Sequence, residues 1–306
     1  MAEIAFLVNP ASDNGRTGRT WPQLYTAAAA AGLDGETLLS DHPGHIAELV
    51  ERAAADGARL VVAVGGDGTV NEAANGLVRL HERGEPTPEL AVLPRGTGRD
   101  FVRTFGIPGK LDEAIRIARD GEAREIDAGR AEYRAWDGHD AVTYFANVAS
   151  AGMSGAVAQR ANTTSKALGG KASFLAATLA VFAGWKPGEM EVEVDGERSA
   201  GLLYDVLVAN CRFLGGGMKM TPDADPTDGA FDVLLIGDIT RRDLALTLPK
   251  VYRGTHLPHP KAKLLRGREV AIRADSPVPV ELDGEQPGTT PAHFRVVPGA
   301  IRLRVP

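Results

Sequence analysis

The chain has 306 residues, 43% of them hydrophobic, which is ample for two compact domains, each with its own core. Its formal net charge of −6 argues against nucleic acid as the main partner, because phosphate-backbone binders carry a basic surplus. The single cysteine, Cys211, excludes an internal disulfide, and no Cys-x-x-Cys or His-Glu-x-x-His cluster points to zinc. The chain runs directly into an apolar strand at Ile4–Val8 without a basic start or cleavage site, which reads as a cytoplasmic protein.

Up to about Gly129 the pattern alternates strands with helices in the manner of a parallel sheet. The strand at 4–8 leads to a helix around 21–31, a short strand near 36–39, a helix over 44–55, a strand at 60–64 and a helix over 69–81. The Gly-Glu-Pro-Thr-Pro linker at 84–88 introduces a strand at 90–93, and 111–118 has helical spacing. After Ile126-Asp127 the pattern shifts to short alternating strands at 190–194, 202–209, 231–236, 269–272 and 278–282, the signature of an antiparallel sandwich. The last alternation, 300–305, can close either domain.

Two glycine-rich turns follow strands of the first half. In Val61-Val62-Ala63-Val64-Gly65-Gly66-Asp67-Gly68-Thr69 an apolar strand runs into a turn and then a helix, an arrangement whose backbone N–H groups and helix dipole suit a phosphate. A tight βα turn capped by Asp67 or Thr69 fits the spacing equally well. The Rossmann fingerprint fails because Asn71 stands where its third glycine belongs, and the Walker ending is missing. Asp67 beside a phosphate calls for an intervening cation, which points to Mg²⁺. The second turn, Pro94-Arg95-Gly96-Thr97-Gly98-Arg99-Asp100-Phe101, follows the strand at 90–93. Both turns, and Asn9-Pro10, fall at the carboxyl ends of strands, where open α/β sheets bind ligands.

With these two runs the chain resembles the diacylglycerol kinase and sphingosine kinase family, whose catalytic domain carries Gly-Gly-Asp-Gly-Thr followed by Pro-x-Gly-Thr-x-Asn-Asp-Phe. Asn9-Pro10 with Ser12, the segment Asn147 to Gly155, and Gly215-Gly216-Gly217-Met218 through Pro222, Ala224, Asp228 and Gly229 are similar to further family segments. Asp283-Gly284-Glu285 resembles its catalytic acids. The resemblance implies an α/β fold with an N-terminal Rossmann-like, NAD kinase/phosphofructokinase-like parallel-sheet domain (1–129), a C-terminal antiparallel β-sandwich domain (130–295), a tail (296–306) returning to the first domain, and an active site in the cleft between the two.

It further implies an ATP- and Mg²⁺-dependent lipid kinase that phosphorylates a lipid hydroxyl, with diacylglycerol as the default acceptor. Asp283 would be the general base and Glu285 its orienting partner. Asn9, Ser40, Gly65, Gly66, Asp67, Gly68, Thr69, Asn71, Glu72, Gly96 and Thr97 would surround the nucleotide. Asp67, Asp100 and Asp127, expected at loop ends, would gather Mg²⁺ through waters. The Asp228 carboxylate with the backbone carbonyls of Asp225 and Ala230 would form a separate cation site. The partners implied are ATP and a lipid alcohol met by peripheral contact at the inner face of the membrane, and a homodimer is allowed. Arg99 departs from the family's asparagine, and its charge can pair with Asp100 or Asp67 or reach a phosphate.

The residues around the candidate base leave two readings open. Asp-Gly-Glu occurs at 195–197 and at 283–285, and Asp-Gly between strands is a strong hairpin signal with no chemistry attached. Strand alternation at the second copy instead places Asp283 and Glu285 on one face, able to share a proton. The apolar run 172–185 reads as a lipid-facing helix or a buried one. The stretch 244–268 lacks acidic residues and carries Lys250, Arg253, Lys261, Lys263, Arg266 and Arg268, which suits anionic headgroups or a solvated face. Arg16, Arg19, Arg103 and Lys166 are further basic candidates. Two rivals stand beside the lipid kinase. An NAD kinase would show a Ser/Thr-rich adenosine-binding stretch ending in Ala-Tyr, which this chain lacks. A non-catalytic lipid-sensing regulator would not need Asp67, Asp283 and Glu285.

Overall fold

The computed structural model describes residues 3–96, 98–163 and 170–306. Two compact units emerge, one of Met1–Ala128 with Pro298–Pro306 and one of Gly129–Val297.

The first unit alternates strand and helix: β1 (Ile4–Val8), α1 (Arg16–Ala30), β2 (Glu36–Leu39), α2 (His45–Ala55), β3 (Leu60–Gly65), α3 (Asp67–Glu82), β4 (Glu89–Pro94), α4 (Asp100–Thr104) and α5 (Leu111–Asp120). The strands pair in parallel in the order β2-β1-β3-β4. β3 is buried along its whole length, as a parallel strand covered on both faces must be, and its sequence is accordingly continuous Leu-Val-Val-Ala-Val. Phe6 of β1 lies 5.3 Å and 5.7 Å from the rings of Trp21 and Tyr25, which fastens α1 to the sheet. α5 buries Ala114, Ile115 and Ala118, a helical stripe, in the same core.

β5 (Glu122–Ala135) runs out of the first unit into the second, where the elements are β6 (Asp140–Phe145), β7 (Val148–Gly152), α6 (Met153–Thr163), α7 (Gly170–Gly184), β8 (Gly188–Val194), β9 (Glu197–Ala209), β10 (Phe213–Leu214), β11 (Met218–Lys219), β12 (Phe231–Gly237), α8 (Arg241–Arg253), β13 (Ala262–Gly267), β14 (Glu269–Ala274), β15 (Pro279–Leu282) and β16 (Glu285–Val305). β16 ends back in the first unit, where Leu303 pairs in parallel with Leu90 of β4. The tail therefore closes the parallel sheet.

The second unit is an antiparallel sandwich. The 13-residue β9 serves both layers, pairing with β8 through its first half and with β7 and β12 through its second. Side chains on one face of β7, β9, β12 and β15 (Ala149, Ala151, Val206, Val208, Val233, Val280, Leu282) enter the sandwich core with Phe145, Phe231 and Phe294. The opposite face carries Val148, Leu207, Ala209 and Leu234, which pack under Val251 of α8 and Met218 and Met220. Being covered on both faces, the end of β9 reads Leu-Leu-Tyr-Asp-Val-Leu-Val-Ala rather than as a clean alternation, and Asp205 is the one charge in that run.

α2 and α3 pack so closely that a Cβ on Gly76 would lie 2.7 Å from the Ala47 carbonyl oxygen and 2.8 Å from Val50 Cβ. In an open helix Gly→Ala stabilises by about 1 kcal/mol, whereas here overpacking against a backbone carbonyl costs roughly 1–3 kcal/mol. Gly76→Ala is therefore expected to lower the urea midpoint of unfolding, and an unchanged or raised midpoint would contradict this packing.

Candidate active site

At the carboxyl edge of the first sheet the two glycine turns meet backbone to backbone. A Cβ on Gly96 would lie 2.8 Å from the Cα of Gly66, and Arg95 N–H donates to the Gly65 carbonyl at 2.6 Å. Gly65 leaves room for the buried Thr69, whose Oγ1 would lie 2.1 Å from an added Cβ. Gly98 leaves room for Asp67, whose Oδ2 would lie 2.4 Å from a Cβ there and accepts the Asp100 N–H at 3.2 Å. Close packing thus explains Gly65, Gly96 and Gly98. Gly68, in the first turn of α3, has open space where its Cβ would be, and no side chain caps that helix start.

The neighbouring candidates are largely held by the protein's own hydrogen bonds. Asn9 N–H donates to the Val64 carbonyl and its Oδ1 accepts from Ala11 N–H, shaping the loop after β1. Glu72 Oε2 accepts the Ile46 N–H at 3.1 Å, capping the start of α2. Asn71 Oδ1 accepts from Asn75 Nδ2, and buried Ser40 donates its N–H to the Val8 carbonyl. Thr97 and Lys166 lie outside the described residues. Of the three acids expected at loop ends, Asp67 and Asp100 start α3 and α4 and are brought together, whereas Asp127 lies inside β5, buried, with Oδ1 accepting the Gly299 N–H at 2.8 Å. The partner of Asp100 is Arg103, at 3.0 Å. Arg99 is exposed, with its guanidinium against Gly109, where an added Cβ would lie 1.7 Å from it. The sequence reading passed over Arg95, whose guanidinium reaches Thr20 at 3.4 Å while its buried Nε has no partner.

After β2, the Asp41 carboxylate sits 2.5 Å from His42 Nδ1 and 2.7 Å from His45 Nδ1, with the two imidazoles stacked at 4.5 Å. The hydrogen bond with His42 draws Asp41 below the usual carboxylate range and raises His42.

In the second unit the alternation expected at 278–285 is broken by a turn. Asp283 and Gly284 take positive φ, +49° and +94°, and form a two-residue hairpin that pairs Leu282 with Glu285. Asp283 and Glu285 consequently do not share a strand face, and Glu285 is exposed at the head of β16. The Asp283 carboxylate instead accepts three backbone N–H groups, from Ala146 (2.8 Å), Asn147 (3.0 Å) and Val148 (2.9 Å). Burial pushes it up to about 6, opposed by those donors.

Two acids absent from the sequence reading stand close by. Glu281 (6% exposed) accepts from Ser150 Oγ at 2.9 Å and from Gly284 N–H at 2.5 Å, and burial raises it to about 8, with the Asp283 and Asp205 charges adding to the effect. Asp205 (2% exposed) accepts from the N–H and Oγ of Ser154, is raised to about 7 by burial, and leaves Oδ1 without a hydrogen bond. A charged residue interrupting an apolar strand was the available signal for both. Asp205 borders a cavity of about 120 Å³ walled by apolar side chains, among them Leu207, Met218, Leu234, Leu248 and Val251.

In the loop expected to hold a separate cation, the side-chain oxygens of Asp225 and Asp228 are engaged within the protein, and the Asp225 carbonyl accepts the Asp228 N–H at 3.4 Å. Asp225 Oδ1 accepts from Thr227 N–H and Oγ1, Asp228 Oδ1 accepts the Ala230 N–H, and Asp228 Oδ2 pairs with Arg266. A cation held by the Asp228 carboxylate there competes with the Arg266 guanidinium. The basic stretch 244–268 is likewise partly neutralised, Lys261 pairing with Asp243, Lys263 with Glu197 and Arg266 with Asp228. Of the apolar run, the described part of α7 turns Ala177, Thr178 and Phe182 inward, Phe182 stacking on Tyr204 at 5.1 Å, while Leu179 is half exposed; the side chains of Ala172, Ser173 and Phe174 lie outside the described residues. Among the described residues no helix is long and apolar enough to cross a membrane.

Comparison with known proteins bears on this geometry. Residues 3–131 match the diacylglycerol kinase catalytic domain, and residues 147–305 match the YegS C-terminal NAD kinase beta sandwich-like domain. The chain is 27% identical over 295 residues to a diacylglycerol kinase of Bacillus subtilis (96% of this chain, 93% of the relative) and 25% identical over 300 residues to one of Staphylococcus carnosus (98% and 94%). A crystal structure of a diacylglycerol kinase from Bacillus anthracis strain Sterne superposes with a TM-score of 0.73 at 20% identity (100% of this chain, 97% of that one). A yeast NADH kinase superposes with a TM-score of 0.55 at 12% identity (98% and 82%). Both structures speak for the fold alone.

The raised proton affinities of Asp283, Asp205 and Glu281 make stability vary with pH. Each holds its proton more tightly in the folded chain than in the unfolded one, where carboxylates titrate near pH ~4. The unfolded state therefore loses protons first, and stability falls as pH rises from about 4 toward the folded values of about 6, 7 and 8. Urea midpoints for the second unit are expected to decline between pH 5 and pH 8.5; a rise across that window would show that these carboxyls are ionised without cost.

Proposed function

Because the chain belongs to the family that joins a diacylglycerol kinase catalytic domain to a YegS-type β-sandwich domain, and is thereby a kinase, we propose that it transfers the γ-phosphate of ATP to a lipid hydroxyl, diacylglycerol being the acceptor and phosphatidic acid the product. The observation that carries the reading is Asp283, a half-buried residue whose carboxylate is fixed by three backbone donors and whose proton affinity is raised to about 6. A base with that affinity is mostly ionised at neutral pH, yet takes up a proton more readily than a solvated aspartate. It receives the proton of the acceptor hydroxyl as that oxygen bonds to the γ-phosphorus and the bond to ADP breaks; the proton then passes to water. Glu285 keeps a secondary role, from across the turn rather than from the same strand face.

In the first unit the start of α3, at Gly66 to Thr69, offers backbone N–H groups and a helix dipole to phosphate, with Asn9, Ser40, Asn71, Glu72, Gly96 and Thr97 around the nucleotide. Gly68 supports this, since neither packing nor φ demands a glycine there. Asp67 and Asp100 present hard oxygen ligands of the kind Mg²⁺ takes, and both would hold it. Bound there, Mg²⁺ supplies charge screening to the phosphates. Asp127 is the weaker candidate because the Gly299 N–H already occupies its Oδ1. In the second unit the apolar cavity under α8 suits part of an acyl chain.

The test is transfer of labelled γ-phosphate from ATP with Mg²⁺ to a panel of lipid alcohols in mixed micelles, with NAD⁺ in a parallel tube. Diacylglycerol is expected to take the label, and Asp283→Asn to lose at least a hundredfold in kcat, roughly the worth of a general base. Label on NAD⁺, or full activity in the variant, would overturn the reading.

Two further variants separate contact from chemistry. Gly68→Ala is expected to keep or raise the thermal midpoint, since alanine favours helix by about 1 kcal/mol, while raising KM for ATP. Leu248→Trp, which fills the cavity, is expected to raise KM for long-chain acceptors and leave short-chain ones unchanged.

A further inference from the structure

The two extra acids of the second unit lie on a line across the sheet. Glu281 of β15 stands opposite Ser150 of β7, and Ser150 stands opposite Leu207 of β9. Residues two apart on a strand share a face, so Asp205 lies on the same face as Leu207, Ser150 and Glu281. That is the face beneath α8; the sandwich core takes their neighbours Val280, Leu282, Ala149, Ala151 and Val206. Ser150 is fully buried.

Glu281 ends this line directly under the Asp283 turn. Its two oxygens bind different elements, Oε1 the Gly284 N–H at 2.5 Å and Oε2 the Ser150 hydroxyl at 2.9 Å. The two-residue turn is thus fastened at both residues, through the Asp283 carboxylate to the amides of 146–148 and through Gly284 to Glu281. The three amides fix the carboxylate, and the contact from Glu281 to Gly284 N–H fixes the turn backbone that carries it.

We propose that Glu281 is a positioning residue for phosphoryl transfer, holding the Asp283 carboxylate in one orientation by anchoring the Gly284 N–H and the Ser150 hydroxyl from beneath the turn. This rests on Asp283 being the base. Glu281 does so as a neutral acid at pH 7, its Oε2–H then donating to Ser150 Oγ, since burial raises it to about 8 and the charges that act on it, Asp283 of its own hairpin and Asp205 of β9, are both negative. Above that pH its ionisation sets a second negative charge beneath the turn and strains the arrangement it supports.

Glu281→Gln keeps both anchors, the amide oxygen accepting from Gly284 and the amide nitrogen donating to Ser150, and cannot ionise. The parent is expected to lose kcat above about pH 8; the variant is expected to hold kcat at pH 7 within about twofold of the parent, to lack that fall, and to raise the thermal midpoint at pH 8.5 but not at pH 5. Glu281→Leu, of similar bulk without anchors, is expected to lose on the order of a hundredfold in kcat with KM for ATP unchanged. Parental kcat in the leucine variant, or an alkaline limb that persists in the glutamine variant, overturns the proposal. Asp283→Asn distinguishes the two levels: full activity there overturns the base assignment and this role with it, whereas loss there with an unmoved limb in Glu281→Gln overturns only the positioning role.

Discussion

Everything the second unit offers to chemistry depends on one carboxylate receiving three amides. The segment Ala146-Asn147 between β6 and β7 is irregular, and its buried backbone groups need partners that no ladder supplies. The Asp283 carboxylate takes the N–H groups of Ala146, Asn147 and Val148, while Asn210 and Cys211 N–H donate to the Asn147 carbonyl and Asn210 Nδ2 to that of Ala146. The turn that presents Asp283 therefore also completes the hydrogen bonding of the strand connection beside it. Removing the carboxylate leaves three donors without their acceptor, so a neutral isostere such as asparagine probes chemistry with less structural damage than alanine.

The two Asp-Gly-Glu copies show what separates a turn from a site. Asp195 and Asp283 adopt nearly the same φ, +48° and +49°, each is followed by a glycine at positive φ, and each carboxylate accepts backbone N–H groups from a neighbouring segment, Arg268 and Glu269 in the first case. Asparagine and aspartate tolerate this backbone region, so the hairpin signal read from both copies was correct in kind. Burial makes the difference. Asp195 is exposed, whereas Asp283 is packed among the elements around β7 with Glu281 beneath it, and desolvation moves its proton affinity into the range a base can use.

Much of the first unit was legible because its signals are local. Apolar runs of five or six residues, glycine turns at their ends and a helical stripe at 111–118 each sit within one element, and the strands and helices fall within a few residues of expectation. The long β5 escaped because its burial follows partners in two units rather than a simple alternation. α8 escaped because Pro249 lies inside it, although the Thr240/Asp243 capping box was a readable start signal. The acids Glu281 and Asp205 were invisible for a different reason: a charge in a strand ordinarily marks the solvent side, and only the helix cover under α8 turns that face into an interior. The expected face-sharing of Asp283 and Glu285 failed because a two-residue turn resets the alternation.

The two units handle charge in opposite ways. In the first, the glycine turns are close-packed against each other, so the polar surface offered at the edge of the sheet is mainly backbone, with Asp67 and Asp100 as its carboxylates. In the second, the buried Asp205 and Glu281 and the half-buried Asp283 all hold their protons more tightly than free carboxylates. In a chain of net charge −6, desolvation lets Glu281 keep the hydrogen-bonding capacity of an acid while suppressing its charge at neutral pH. Asp283, whose carboxylate is surrounded by three donors, is the acid of the three with the lowest proton affinity and so the first to ionise as pH rises. It also receives the most backbone N–H groups of the three, and these oppose the desolvation that raises its proton affinity.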